Sequence, residues 1–212
     1  MEHKDIIRLW TSRKNILATP LMQKYHIKES DHMTLKQFIE WADGEGYYDK
    51  IQEMTFSCKT KGNADGSVQR IKIYWPAEPK LGGSEYRAIS NDMESENLKN
   101  AIIIIRDSVT PHAQTTLRYL NSQKIYINVF KMDELQLDIF KHVKVPKHTI
   151  CTNSEKKDIK KDYNISDSQL PKIKSSDAAI RRLGAVKGNL IKIEEESDTM
   201  PGYPIPSYRI VV

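Results

Sequence analysis

Apolar residues recur near helical spacing at the start of the chain. Ile6, Leu9, Trp10, Ile16 and Leu17 would share one face, which predicts an amphipathic helix. Thr19-Pro20 should end it, because proline lacks an N–H and the residue before it avoids the helical region. Thr34 and Gln37 have the spacing of a capping box for a second helix running through Trp41. Phe38 and Trp41 would face inward, and Gly44 and Gly46 would stop that helix. The period then falls to two. Residues 54–60 and 68–75 read as strands, with Ile71, Ile73 and Trp75 alternating with Lys72 and Tyr74. The turn-rich KGNADGS between them makes a hairpin. Residues 76–97 begin rich in Gly, Pro and Ser and continue polar, so they read as an exposed insertion.

A continuous apolar run follows at 101–105, as expected of a strand buried on both faces. A helical pattern over 110–120 and a second strand over 125–130 complete a βαβ crossover with parallel strands. One further short helix is expected over 133–140. Beyond Pro146, Thr152 and Glu155 form a capping box for a helix to Tyr163. Ser176 or Asp177 caps a short helix, and Gly184 stands where a left-handed residue would end it. Residues 186–189 turn the chain into a strand over 190–194. The alternating segment 208–212 pairs with it most simply antiparallel. The pattern therefore predicts an α+β protein: an N-terminal α/β domain over 1–142 and a small α+β domain over 143–212.

Composition narrows the class. The 212 residues are 39% hydrophobic and 29% charged, which suits a folded chain rather than a disordered one. The longest apolar run, 101–105, is far too short to span a bilayer, so no membrane partner is expected. The opening MEHKDIIRLW has acidic residues and no apolar core, so no secretory leader is expected. Cys58 and Cys151 lie in no CxxC-like spacing and suggest neither a disulfide framework nor a zinc site. A reducing compartment follows as the expectation. Residues 1–140 hold 19 Lys+Arg against 19 Asp+Glu, and residues 141–212 hold 14 against 9. All excess positive charge sits in the last third. An acidic or polyanionic neighbour suits it, and so does a merely solvated basic surface.

Few residues invite a chemical role. Thr110-Pro111-His112-Ala113 combines a good N-cap with a proline preorganised for the first helical position. Unpaired N–H groups of His112, Ala113 and Gln114 at the positive end of a helix would suit a phosphate without reading sequence, with Arg118 further along. An ordinary helix cap explains the same residues. Lys156/Lys160 and Lys157/Lys161 are like-charged i,i+4 pairs, as on a solvated face or a surface docked on an acidic partner. Leu170, Ile173, Ile180, Leu183, Ile191 and Ile193 build a small core, while Gly184 and Gly188 serve backbone shape. Leu170-Pro171, read as extended, leaves backbone groups free for a partner. A module of this size gains stability by burying a face against something larger. His148 has no Asp, Ser or Cys constellation around it in sequence and reads as a surface or interface histidine.

These residues carry a resemblance. VPKHTICTNSEKKDIKKDYNISDSQLPKIKSSDAAIRRLGAVKGNLIKI, with SYRIVV at the end, resembles the fifth subunit of eukaryotic DNA-directed RNA polymerases and the stand-alone archaeal counterpart of its C-terminal domain. Arg8-Leu9-Trp10 in the opening helix and Thr110-Pro111-His112-Ala113 resemble the same family more loosely. The resemblance implies a non-catalytic structural subunit in the nucleus. Its N-terminal jaw domain would have a nuclease-like fold without the chemistry and would contact downstream duplex DNA through Thr110, Pro111, His112, Ala113 and Arg118. Its C-terminal assembly domain would dock on the largest subunit, among other polymerase subunits. The interface residues would be His148, Leu170, Pro171, Ile173, Asp177, Gly184, Gly188, Tyr208 and Arg209. No cofactor, catalytic residue or metal site is implied.

His112 replaces the family's serine, Ala178 replaces a proline, and MPGYPIP (200–206) enlarges the last hairpin loop. These departures mark a divergent member and leave open a viral one, with a virion or virus factory as its location. The enzymatic alternative is a metal-dependent nuclease using Asp65, Glu78 and Lys80. Against it, Asp65 lies in a turn and Pro79 interrupts any regular central strand. A free-standing nucleic-acid binder is disfavoured by the zero net charge over 1–140.

Overall fold

The computed structural model describes residues 3–43, 47–61, 68–122, 125–196 and 204–212. They form two compact units. One comprises residues up to Ala18 and Met22–Leu137. The other comprises Asp138–Val212 together with Thr19–Leu21.

The first unit opens with α1 (His3–Leu17), then β1 (Tyr25–His26), α2 (Leu35–Ala42), α3 (Tyr47–Glu53) and β2 (Phe56–Thr60). It continues with β3 (Arg70–Tyr74), α4 (Gly83–Ser95), β4 (Asn100–Ile105), α5 (Pro111–Ser122) and β5 (Tyr126–Lys131). The five strands lie in the order β1-β2-β3-β4-β5. β1/β2 and β2/β3 are antiparallel, and β3/β4 and β4/β5 are parallel. The capping box before α2 is present: the Thr34 hydroxyl accepts from the Gln37 N–H, and the Gln37 side chain accepts from the Thr34 N–H. Phe38 is buried and stacks obliquely on Trp41, 5.1 Å between ring centres. Gly44, Gly46, Asp65 and the tip of the KGNADGS turn lie outside the described residues.

Residues 76–97 correct the expectation of an insertion. They carry α4, which joins β3 to β4 in a second parallel crossover. Tyr86, Ile89 and Met93 follow the i, i+3, i+7 rule and are buried with Ala101, Ile103, Ile105 and Leu117. The helix stops in a Schellman motif. Asn97 takes a left-handed φ of 52°, its N–H donates to the Glu94 carbonyl, and the Leu98 N–H donates to the Met93 carbonyl. Glycine and proline at its start hide an amphipathic helix. The helix expected over 133–140 is also corrected: it is two short 3-10 segments, Met132–Leu135 and Ile139–Lys141, with exposed Leu137 between them. The first is held to α1, where Asn15 donates to the Leu135 carbonyl and Arg8 pairs with Asp133.

The second unit contains β6 (Lys147–Ile150), α6 (Asn153–Asp162), β7 (Lys172–Ile173), α7 (Ala178–Leu183), β8 (Leu190–Glu196) and β9 (Pro204–Val211). Its sheet runs β6-β8-β9-β7. The β8/β9 pair is antiparallel, and short β7 adds parallel to the end of β9. Strand alternation separates two apolar faces. Ile191, Ile193 and Val211 pack with Ile180 and Leu183 of α7, while Leu190 and Ile210 pack with Leu170 and Ile159 of α6. The segment expected to enlarge the last loop is strand in part: Pro204 and Pro206 pair opposite Glu196 and Glu194. They lie beyond the reach of β7, on an open edge where a missing N–H costs nothing.

Candidate functional site

The start of α5 is built by a strap. Asp107 and Leu81 donate backbone hydrogen bonds to the carbonyls of Pro79 and Ser108, and Thr110 donates to that of Leu81. These bonds seat the loop after β4 beside the chain entering α4, placing His112 close to Gly83. The Thr110 hydroxyl caps the helix, accepting from the Ala113 N–H at 3.4 Å, and the Gln114 N–H donates to the Thr110 carbonyl at 2.9 Å. This corrects the expectation of three open N–H groups. Only the His112 N–H is left without a partner among the described residues. Pro111, His112 and Arg118 are exposed, and Ala113 is buried. Arg118 has no ion-pair partner among the described residues, and it stands about 10 Å further along the helix axis than Pro111. Arg87, also exposed and without an ion-pair partner among the described residues, lies one turn after Gly83 on α4. Sequence reasoning misses it because the letters around its helix read as a loop.

In the second unit several expected interface residues work inside the fold instead. Leu170 is buried against Leu190 and Ile210, so it offers no apolar face to a partner. The backbone beside it is engaged as well: the Ile210 N–H donates to the Pro171 carbonyl at 2.8 Å, and the Val212 N–H donates to that of Ile173 at 2.9 Å. Ile173 is half-buried against the α7 face. Asp177 is the N-cap of α7, its carboxylate accepting from the N–H groups of Ala179 and Ile180. Gly184 adopts φ 68° and closes α7 in a Schellman motif. Gly188 adopts φ 90°.

His148 lies half-buried on β6, where its Nδ1–H donates to the Pro146 carbonyl at 2.7 Å. That bond fixes the proton on Nδ1 and leaves Nε2 as the free position. Tyr208 is half-buried near Tyr163, and Arg209 is exposed. The expected residues are thus spread over both edges and both faces of the sheet.

The lysine pairs of α6 divide. Lys156 and Lys160 both reach Asp167, at 2.9 and 2.8 Å, which relieves their repulsion. Lys160 and then Lys156 hold the Asp167 carboxyl below the usual carboxylate range. Lys157 and Lys161 remain exposed.

The nuclease alternative does not find its geometry. Glu78 and Lys80 sit in the bend between β3 and α4 rather than on a strand, and Lys80 pairs loosely with Asp107 at 3.7 Å. Among the described residues no group of three His, Cys, Asp or Glu is placed to hold a metal ion.

Comparison with known proteins agrees across the chain. Residues 137–211 match the model of the family described as RNA polymerase Rpb5, C-terminal domain. The chain is 30% identical over 210 residues to a Dictyostelium discoideum protein named DNA-directed RNA polymerases I, II, and III subunit rpabc1. That alignment spans 99% of this chain and 100% of the relative. A Caenorhabditis briggsae protein named subunit RPABC1 of the same polymerases is 29% identical, covering 98% of this chain and 97% of its own. An Arabidopsis thaliana DNA-directed RNA polymerase subunit 5-like protein 1 is 26% identical over 98% of this chain and 97% of its own.

Proposed function

This chain belongs to the Rpb5 family of RNA polymerase subunits, and from that premise we propose that it is a non-catalytic subunit of a multisubunit DNA-directed RNA polymerase working in the nucleus. The single observation carrying this reading is the end-to-end match with the Dictyostelium relative, which leaves neither unit unaccounted for. In this reading the second unit attaches the chain to the largest subunit. Its candidate contacts are the side chains still turned outward: His148, Pro171, Arg209 and the free lysines of α6. The start of α5 faces downstream duplex DNA. His112 offers a backbone N–H at the positive end of the helix, and Arg118 offers an exposed charge; neither reads sequence.

The test is isolation of the tagged full chain from its own cells under gentle conditions, with identification of what accompanies it. The large polymerase subunits should copurify. Deleting residues 138–212 should abolish that association, whereas a His112→Ala/Arg118→Ala chain should still be incorporated and should crosslink less to downstream duplex. Recovery of the chain alone would overturn the reading. Incorporation without the second unit would reverse the roles assigned to the two units.

A further inference from the structure

A cleft of about 670 Å³ lies between the end of β3 and the first turns of α4. That size falls within the range of sites that hold small ligands. Its lining divides by chemistry. Trp75, Pro76, Ala88 and Ile89 supply apolar surface. Lys72 is the one cation among its lining residues, and Asp92 and Glu96 already hold it at 2.6 Å each. Glu78 and Glu85 also line the cleft, and among the described residues no basic side chain lies within ion-pair distance of either. The side-chain donor to Glu85 is the neutral Ser84 hydroxyl, at 2.9 Å. Backbone N–H groups at the start of α4 also hold the Glu85 carboxylate below the usual range, but neither Glu78 nor Glu85 has a cationic partner among the described residues, so the unpaired charge lining the cleft is negative.

Trp75 is only 2% exposed, and its ring forms part of the cleft wall, so its indole signal reports on what enters.

We propose that this cleft is the docking site for a basic segment of a partner protein. Glu78 and Glu85 receive a lysine or arginine head. The alkyl stem lies along Pro76 and Ile89, as long cationic side chains do on apolar surface. Nucleic acid is the wrong occupant, because its phosphates would meet two carboxylates that no cation pairs. The cleft is thus opposite in character to the start of α5, and its assignment does not rest on the polymerase reading.

The test uses the isolated full chain, labelled with ¹⁵N, and the blocked peptide acetyl-Leu-Arg-Leu-amide. The Trp75 indole signal is assigned by its loss in Trp75→Phe. The arginine peptide should move that signal saturably, and acetyl-Leu-Glu-Leu-amide should not. Glu78→Gln/Glu85→Gln should weaken binding about tenfold, the combined effect of two exposed charges. Ala88→Trp, which fills the cleft from an exposed position, should abolish it. An indole signal that ignores the arginine peptide, or answers both peptides alike, would overturn the proposal. So would a double-glutamine chain that binds as tightly as the original. A short DNA duplex that moved the indole would reassign the cleft to nucleic acid and equally overturn it.

Discussion

Gly184 and Gly188 share a sign of φ but not a neighbourhood. A Cβ at Gly184 would come within 2.4 Å of Leu21 Cδ1, whereas a Cβ at Gly188 would meet nothing within 4 Å. Both substitutions force an L-residue into the left-handed region, which costs about 1–2 kcal/mol. Gly184→Ala must also displace Leu21, a side chain with little room because it is itself buried. Gly184→Ala should therefore lower stability by clearly more than Gly188→Ala, as urea unfolding midpoints of the full chain would show. Equal losses would mean that Leu21 moves freely. Gly184 was legible from its place after a short helical pattern. Leu170 was legible as a core residue, but its partners Leu190 and Ile210 were not, since they are distant in the chain.

At the scale of elements, β3 is tied to α4 by a polar network. Lys72 reaches Asp92 and Glu96, Arg70 reaches Glu96 at 2.5 Å, and the Tyr74 hydroxyl donates to Asp92 at 2.6 Å. Burial opposes ionisation of Asp92, but the hydrogen bonds from Lys72 and Tyr74, with the Lys72 charge, outweigh it and hold its carboxyl below the ordinary value of 3.8. A carboxyl depressed in the folded state adds stability above its unfolded pKa and loses it as pH falls through the folded one. The folded chain should therefore lose stability below about pH 4. Asp92→Asn should flatten that acid limb while lowering stability at neutral pH. Unfolding midpoints from pH 7 to pH 2.5 would check this, and an unchanged acid limb would show that Asp92 does not link the two elements. The letters of α4 were present: Tyr86, Ile89 and Met93 at helical spacing and Asn97 as a left-handed stop. Pro76, Pro79, Gly82 and Gly83 outweighed them because punctuation near a helix start looks like a loop.

For the whole molecule, charge sets how it meets nucleic acid. Residues 1–140 carry no net charge, and the excess of five positive charges lies in residues 141–212. Affinity for duplex grows with the number of phosphates neutralised, and the start of α5 offers one backbone N–H and one distant arginine. The isolated chain should bind short duplex DNA no more tightly than about 10⁻⁶ M at physiological salt. Fluorescence anisotropy over a salt series would measure it. Tight binding with a steep salt slope would mark an autonomous DNA-binding protein rather than a subunit held near DNA by its neighbours.

The sequence alone determined what depends on residues within about one helical turn: the capping boxes at Thr34 and Thr152, a cap at Ser176 or Asp177, the left-handed stop at Gly184, and the periodicities of α1, β4 and β8. Caps, left-handed turns and alternation arise between near neighbours, so their letters are read in place. Tertiary structure decided what depends on meetings across the chain. It set Leu170 against Leu190 and Ile210, consumed the carbonyls of Pro171 and Ile173 in strand pairing, and brought Asp167 between Lys156 and Lys160. It also opened the cleft between β3 and α4. Burial, strand pairing and ion pairing between distant residues are set by how elements pack, and no local pattern encodes them.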